Sequence, residues 1–196
     1  MDAVGVDAAI IVSTFNLYRY DPSYALEVYR KYPDRFRVVK PIDVTDSAID
    51  DVCAAWAKTN GAVGVRIMLR DELVSDPADA RLNGAFAAAG KHGLPVNFLC
   101  WGRLDDGAEL IRRNPDTVIV IDHLGLLQPN QPPVSAEPWA DLPKLLALGS
   151  KSAVPAHYRA SHSHTTTSGS RSCGSSTHLA STAVCGALIG QEPVEC

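Results

Sequence analysis

The sequence lacks the patterns that mark several large classes of protein. No apolar run approaches the roughly 20 residues that a membrane-spanning helix needs. Lys and Arg together number 18 against 22 Asp and Glu, so the net charge of −4 leaves no basic field for nucleic acid or anionic lipid. The chain starts without the basic and apolar segments of a secretion signal. We therefore expect a cytoplasmic protein that binds neither nucleic acid nor membrane.

Two further absences narrow the chemistry. The five cysteines are odd in number, scattered, and form no C-x-x-C pair, which argues against a disulfide framework and a structural zinc site. No apolar run is followed by a glycine-rich phosphate loop, so nothing supports a dinucleotide-binding domain. The remaining composition, 46% apolar and 20% charged, is that of a globular protein. We expect reduced thiols and one folded domain.

Composition divides the chain near Ser150. Residues 151–196 are dominated by Ser and Thr, contain no Asp, and have a single aromatic residue, Tyr158. Such a segment buries too little apolar surface to form a core. The histidines at 157, 162 and 164 lack the rigid surroundings that a metal site needs. We predict one domain over residues 1–150 and a disordered tail over residues 151–196.

Apolar runs and amphipathic segments alternate regularly through the first 150 residues. The strand-like runs span residues 7–13, 37–42, 62–69, 94–99 and 117–122. Their spacing is that of one strand, one helix and two loops. Helix starts are predicted at Asp21-Pro22, Asp46 and Asp76-Pro77, and helix ends at Asn60-Gly61, His92-Gly93 and Asn114-Pro115. The pattern predicts about five βα units.

Strands that are apolar on both faces and separated by helices predict a parallel sheet covered by helices. An open doubly wound sheet and a (β/α)8 barrel both fit this pattern. We favour the barrel. An open doubly wound sheet that binds a nucleotide would carry a glycine-rich phosphate loop after a strand, and the sequence has none. Five units are too few for eight strands, so the fold class predicted is α/β, as a partial (β/α)8 barrel.

Polar residues at the strand ends are the candidate site, because barrel enzymes place their chemistry there. The positions concerned are Ser13 to Asn16, Lys40, Asp43, Arg66, Met68, Asn97, Trp101 and Asp122-His123. Arg66 lies within an apolar strand and needs either a buried carboxylate or an anionic substrate. His123 either satisfies a backbone group or takes part in chemistry. Both pairs of alternatives stay open from the residues alone.

Three further side chains are candidates for contacting a substrate. Asn97 stands between two apolar neighbours, so its amide needs a partner, either in the fold or in a ligand. Trp101 either packs at the rim or forms the wall of a pocket for a flat ligand. Phe15 follows the first strand. We predict all three as substrate-binding residues.

Several segments resemble successive parts of one family. "MDAVGVDAAIIVS", "YPDRFRVVKPID", "GAVGVRIML", "HGLPVNF" and "NPDTVIVIDHLGL" are similar to amidohydrolase-related proteins, the amidohydrolase 2 branch of the amidohydrolase superfamily. The resemblance implies a distorted (β/α)8 barrel that either hydrolyses a lactone, amide or related carbonyl substrate or decarboxylates a small carboxylated molecule, with or without a divalent metal such as zinc. It implies catalytic roles for His123, Arg66 and Asp122, with His123 also a metal ligand and Arg66 binding a substrate carboxylate.

The sequence also departs from the family pattern. The first-strand H-x-H pair and the later "K-x-S/T-G" and "W-G-T/S-D" motifs are absent. Re-reading the tail in a shifted codon frame lets "VCGALIGQE" become "LWGTDWTRA", which predicts a frameshift near residues 149–152. We therefore expect a fragment that binds no metal, turns over no substrate, and forms oligomers through open sheet edges. The alternatives are a non-catalytic remnant or a doubly wound ligand- or partner-binding domain with a genuine disordered tail.

Overall fold

A computed structural model describes residues 1–125 and 141–151, which form parallel strands alternating with helices. The strands are β1 (Ala9–Val12), β2 (Phe36–Pro41), β3 (Ala62–Met68), β4 (Val96–Leu99) and β5 (Ile119–Ile121). The helices are α1 (Phe15–Tyr18), α2 (Ser23–Lys31), α3 (Ile49–Ala57), α4 (Ala80–Lys91), α5 (Leu104–Arg113) and α6 (Leu142–Lys151). Short 3-10 turns span Asp2–Val4 and Asp122–Gly125. The predicted strand positions are all confirmed, with each end within two residues of the predicted one.

The five strands pair in chain order, β1-β2-β3-β4-β5, and every pairing is parallel. Parallel neighbours need a crossover, which the intervening helices supply. The sheet is curled, so the predicted half of an α/β barrel is confirmed. Because all strands run the same way, their carboxyl ends meet at one end of the half-barrel. Of the predicted tail, residues 151–196, only Lys151 is described, as the last residue of α6, and residues 152–196 lie outside the described residues, as do residues 126–140.

Side chains alternate between the two faces of each strand. On the helix-facing side, Val65, Ile67 and Phe98 are fully buried and pack in one apolar core with residues of α3, α4 and α5. The rings of Phe86 and Phe98 meet edge to face, with centroids 5.1 Å apart. On the other face, Arg66 and Asn97 are register partners on β3 and β4. The alternation therefore separates the apolar core from the polar candidate site.

Three local predictions need correction. Helix α3 begins at Ile49 rather than near Asp46. Helix α4 begins at Ala80 rather than near Pro77, because the carboxylate of Asp79 accepts a hydrogen bond from the Arg81 amide, 2.8 Å away, and caps the helix. Lys40 does not face the candidate site, since its Nζ lies 5.0 Å from the ring centroid of Trp56, on α3. Burial on that helix-facing side lowers the pKa of Lys40.

Within residues 1–125 and 141–151, no helix has the length and apolar character needed to cross a bilayer. The two cysteines of the described residues, Cys53 and Cys100, are both buried free thiols. That state agrees with the expectation of reduced thiols for these two positions. Both thiols lie in the core between sheet and helices.

Candidate active site

Two neighbouring strands and the turn that follows β5 each contribute one polar side chain to a hydrogen-bonded cluster. Arg66 on β3 donates from Nε to Oδ2 of Asp122 over 2.7 Å, and Asn97 on β4 donates from Nδ2 to Oδ1 over 3.1 Å. The side chains of Arg66 and Asp122 are 14% and 11% exposed. A charge-assisted contact removed from water in this way is much stronger than a surface ion pair. Of the two partners considered for Arg66, the structure supplies the carboxylate.

The backbone turns sharply directly after Asp122. His123 has φ 52° and ψ 32°, and Leu124 has φ 61° and ψ 7°, both in the left-handed region that non-glycine residues rarely adopt. Gly125 continues the turn at φ 65°. Leu124 is buried, and the Gly125 carbonyl accepts a hydrogen bond from the Gly102 amide over 2.8 Å. The strained turn is therefore fixed at its far end to the loop after β4.

The imidazole of His123 meets the indole of Trp101 edge to face, with ring centroids 5.4 Å apart and an interplanar angle of 65°. Trp101 is 38% exposed, so part of its side chain remains accessible to solvent. Burial lowers the pKa of His123 and outweighs the opposing effect of the Asp122 charge, while the Arg66 charge lowers it further. A neutral imidazole is therefore favoured at neutral pH, and it can accept a proton.

Cys100 lies next to this cluster but is not a nucleophile. Its side chain is fully buried, and burial, reinforced by the Asp122 charge, raises its pKa to about 12. A thiol with that pKa stays protonated at neutral pH, and only the thiolate attacks carbonyl carbon readily. Cys100 is therefore a small apolar core residue.

Phe15 lies apart from the hydrogen-bonded cluster. It is buried in a second, smaller apolar group with Met68 and Leu99, which follow Arg66 and Asn97 by two residues on the same strands. The guanidinium of Arg19 covers its ring, 4.9 Å from the centroid. Phe15 thus lies at the carboxyl end of the sheet, where its strand predicts it, with its ring packed in this apolar group.

A cleft of about 200 Å³ opens beside this second apolar group, after strands β2 and β3. It is lined by Tyr20, Ile42, Asp43, Val44, Thr45, Met68, Glu72, Leu73 and Val74. Burial, with the Asp43 charge second, raises the pKa of the Tyr20 hydroxyl. Asp43 and Met68 were predicted at strand ends, whereas Tyr20 and Glu72 were not predicted, because neither follows a strand directly. Only the density of tyrosines around β1 hinted at Tyr20.

The described residues do not fit a zinc site. Zinc usually takes four ligands, of which three come from the protein in catalytic sites. Among residues 1–125 and 141–151, no group of three His, Cys, Asp or Glu side chains is placed to hold a metal. His123 could supply one nitrogen, but both oxygens of Asp122 already accept hydrogen bonds from Arg66 and Asn97.

A curled parallel sheet with helices on one side defines part of a (β/α)8 barrel. The amidohydrolase family model matches residues 1–169, and the chain therefore belongs to the amidohydrolase family. The resemblance seen in the sequence is confirmed at that level. No curated protein matches the chain.

Solved structures show the same fold. A probable 2-pyrone-4,6-dicarboxylic acid hydrolase from Acinetobacter baumannii, with citric acid bound, is 20% identical over 75% of this chain and 52% of its own, with a TM-score of 0.57. A putative 2-pyrone-4,6-dicarboxylic acid hydrolase from Pseudomonas putida is 24% identical over 74% of this chain and 51% of its own, with a TM-score of 0.54. An amidohydrolase from Burkholderia multivorans with bound zinc is 23% identical over 79% of this chain and 53% of its own, with a TM-score of 0.58. The chain thus spans about half the length of each neighbour.

Proposed function

We propose that the strand-end cluster is part of the active site of an amidohydrolase-family hydrolase that acts on a small carboxylated molecule, such as a lactone. The observation that carries this proposal is the guanidinium of Arg66, which is largely buried and oriented by Asp122 through Nε alone. The two Nη groups of Arg66 are not needed for the contact with Asp122. They can therefore donate two parallel hydrogen bonds to the carboxylate of a substrate. Because the Arg66–Asp122 pair is net neutral, attraction to a substrate depends on directed hydrogen bonds.

The other side chains have separate roles in this proposal. His123, whose neutral form is favoured by burial, transfers a proton to or from the reacting carbonyl group or its attacking water. Trp101, which is partly exposed, offers its indole to a flat ring, and Asn97 contacts the substrate beside it. Phe15, also predicted to bind substrate, is buried with Met68 and Leu99 and would only support the floor of the site. His123 remains a predicted zinc ligand, but no step proposed for this chain depends on a metal.

The two neighbours from Acinetobacter baumannii and Pseudomonas putida suggest a substrate to test. A 2-pyrone-4,6-dicarboxylate would combine a flat ring with two carboxylates. Those groups match the aromatic wall at Trp101 and the guanidinium at Arg66. Decarboxylation is the second candidate reaction, because a site that excludes water from Arg66 and His123 also removes water from a bound carboxylate.

Replacing Arg66 by lysine is expected to weaken binding of 2-pyrone-4,6-dicarboxylate about tenfold, because lysine keeps the charge but loses the planar fork. Isothermal titration calorimetry on the purified chain measures this change. The matched control is Arg112→Lys, since Arg112 is a 66% exposed arginine on α5 that pairs with Glu109. Equal affinities of the wild type and Arg66→Lys would contradict the proposed role of Arg66.

Product analysis of the same mixtures separates the reactions. A ring-opened tricarboxylic acid identifies hydrolysis, and released carbon dioxide identifies decarboxylation. If 2-pyrone-4,6-dicarboxylate binds but no product forms over hours, the non-catalytic alternative is favoured. If it does not bind at all, the proposed function is contradicted.

A further inference from the structure

We propose that Asp122 is a positioning residue, which anchors the left-handed turn at His123 and Leu124 and so determines where the imidazole stands. This inference deepens the proposed function and rests on it, because His123 is the group that the turn presents to a substrate. Asp122 itself does not exchange protons in this account. It acts through the backbone that follows it and through the guanidinium of Arg66.

The first reason is that both carboxylate oxygens of Asp122 are engaged. Oδ2 accepts from Nε of Arg66 and Oδ1 accepts from Nδ2 of Asn97, at 2.7 and 3.1 Å. A general acid or base must reach the proton that it transfers, directly or through one water. The carboxyl group of Asp122 is instead oriented toward two protein donors and is only 11% exposed. A carboxylate engaged in this way can hold the backbone of residue 122 in place, but it is not free to transfer a proton.

The second reason is that the donors are rigidly placed. Arg66 and Asn97 are paired residues on β3 and β4, and Asn97 is paired in turn with Val120 on β5. Asp122 lies two residues beyond Val120, on the same face of the sheet. Its side chain therefore ties the end of β5 to two neighbouring strands. The backbone at Asp122, where the turn begins, is therefore held in a fixed position.

The third reason is the strain that follows. Two consecutive non-glycine residues in the left-handed region carry a free-energy cost of about 1 to 3 kcal/mol each, which surrounding contacts must offset. At the far end of the turn those contacts are the buried Leu124 side chain and the Gly125 to Gly102 hydrogen bond. At the near end the contacts are the two hydrogen bonds that Asp122 accepts from Arg66 and Asn97, which we call the Asp122 clamp. With either end released, the turn can relax to ordinary backbone angles.

The contact of His123 with Trp101 reports the position of the turn. Gly102, which binds the far end, directly follows Trp101, so the turn and the indole are parts of one unit. The edge-to-face geometry places the imidazole within the ring current of the indole, 5.4 Å between centroids. The chemical shifts of the His123 ring protons therefore record whether the turn is held.

The test is nuclear magnetic resonance of the ligand-free chain with Asp122→Asn. Asparagine keeps the shape, but its amide nitrogen faces one of the two donors, so one contact of the clamp is lost. The ring-current shift of the His123 protons is expected to fall by half or more, and the Trp101 indole proton signal is expected to move with it. The control Asp105→Asn, an 81% exposed aspartate on α5, is expected to leave both signals in place.

Unchanged His123 and Trp101 signals in a folded Asp122→Asn variant would overturn the positioning role. If that variant does not fold, Asn97→Ala removes only the neutral half of the clamp, and a partial loss of the ring-current shift is expected. No loss in Asn97→Ala would then contradict the proposal. Because these signals are recorded without substrate, failure to bind 2-pyrone-4,6-dicarboxylate would remove the proposed function and leave the positioning result standing.

Discussion

Replacing Phe98 by alanine is expected to lower the free energy of unfolding of the chain by about 3 to 5 kcal/mol. Phe98 on β4 is fully buried and packs edge to face against Phe86 of α4. Truncation removes the apolar contacts and leaves a cavity that strands β3 and β5 hold open on either side. Urea unfolding followed by circular dichroism measures the loss, provided that the transition is two-state.

The control for this change is Leu17→Ala, because Leu17 on α1 is a large apolar residue that is 74% exposed. Its replacement is expected to change stability by less than about 0.5 kcal/mol. A loss below 1 kcal/mol for Phe98→Ala would mean that β4 does not lie between β3 and β5. That result would contradict the strand order.

The second large effect is expected at Gly125. An added Cβ would lie 2.5 Å from Cδ2 of Leu104, a buried residue of α5, and φ is +65°. The steric contact and the left-handed backbone together predict a loss of about 2 to 4 kcal/mol in Gly125→Ala. The Trp101 signal in near-ultraviolet circular dichroism should weaken as well, because Gly125 binds the neighbouring Gly102 amide.

Gly84→Ala is the matched control, since Gly84 lies in α4 with no heavy atom within 4 Å of an added Cβ. Alanine there is expected to stabilise the helix by about 0.5 to 1 kcal/mol. If both alanine variants had the same stability, the turn after β5 would not have the backbone conformation described.

The strands were predictable because most of their residues are apolar on both faces, which leaves continuous apolar runs such as "AVGVRIML" in the sequence. Helix starts were less predictable, since Asp76 and Asp79 are both good capping residues and only the three-dimensional path decides between them. The direction of Lys40 was not predictable either. A lysine can extend its apolar stem along a core and contact an indole, as at Trp56.

The members of the candidate site were predictable for a simple physical reason. Arg66, Asn97 and Asp122 are polar residues on strands that are otherwise apolar, and such residues need partners. Their actual pairing was not predictable, because it depends on register and on the curl of the sheet. The left-handed backbone at His123 was also hidden, since only Gly125 in "DHLG" indicates a positive φ.

We propose that Arg66 and His123 together bind a small carboxylated molecule at the ends of β3 and β5. The most direct measurement is a nuclear magnetic resonance titration of the labelled chain with 2-pyrone-4,6-dicarboxylate, compared with its uncharged dimethyl ester. We expect the dicarboxylate to shift the Arg66 Nε–Hε and His123 ring signals in a saturable way, with the Arg112 signal unmoved and the ester at least tenfold weaker. Shifts spread over surface arginines, or equal effects of acid and ester, would contradict a carboxylate site at Arg66.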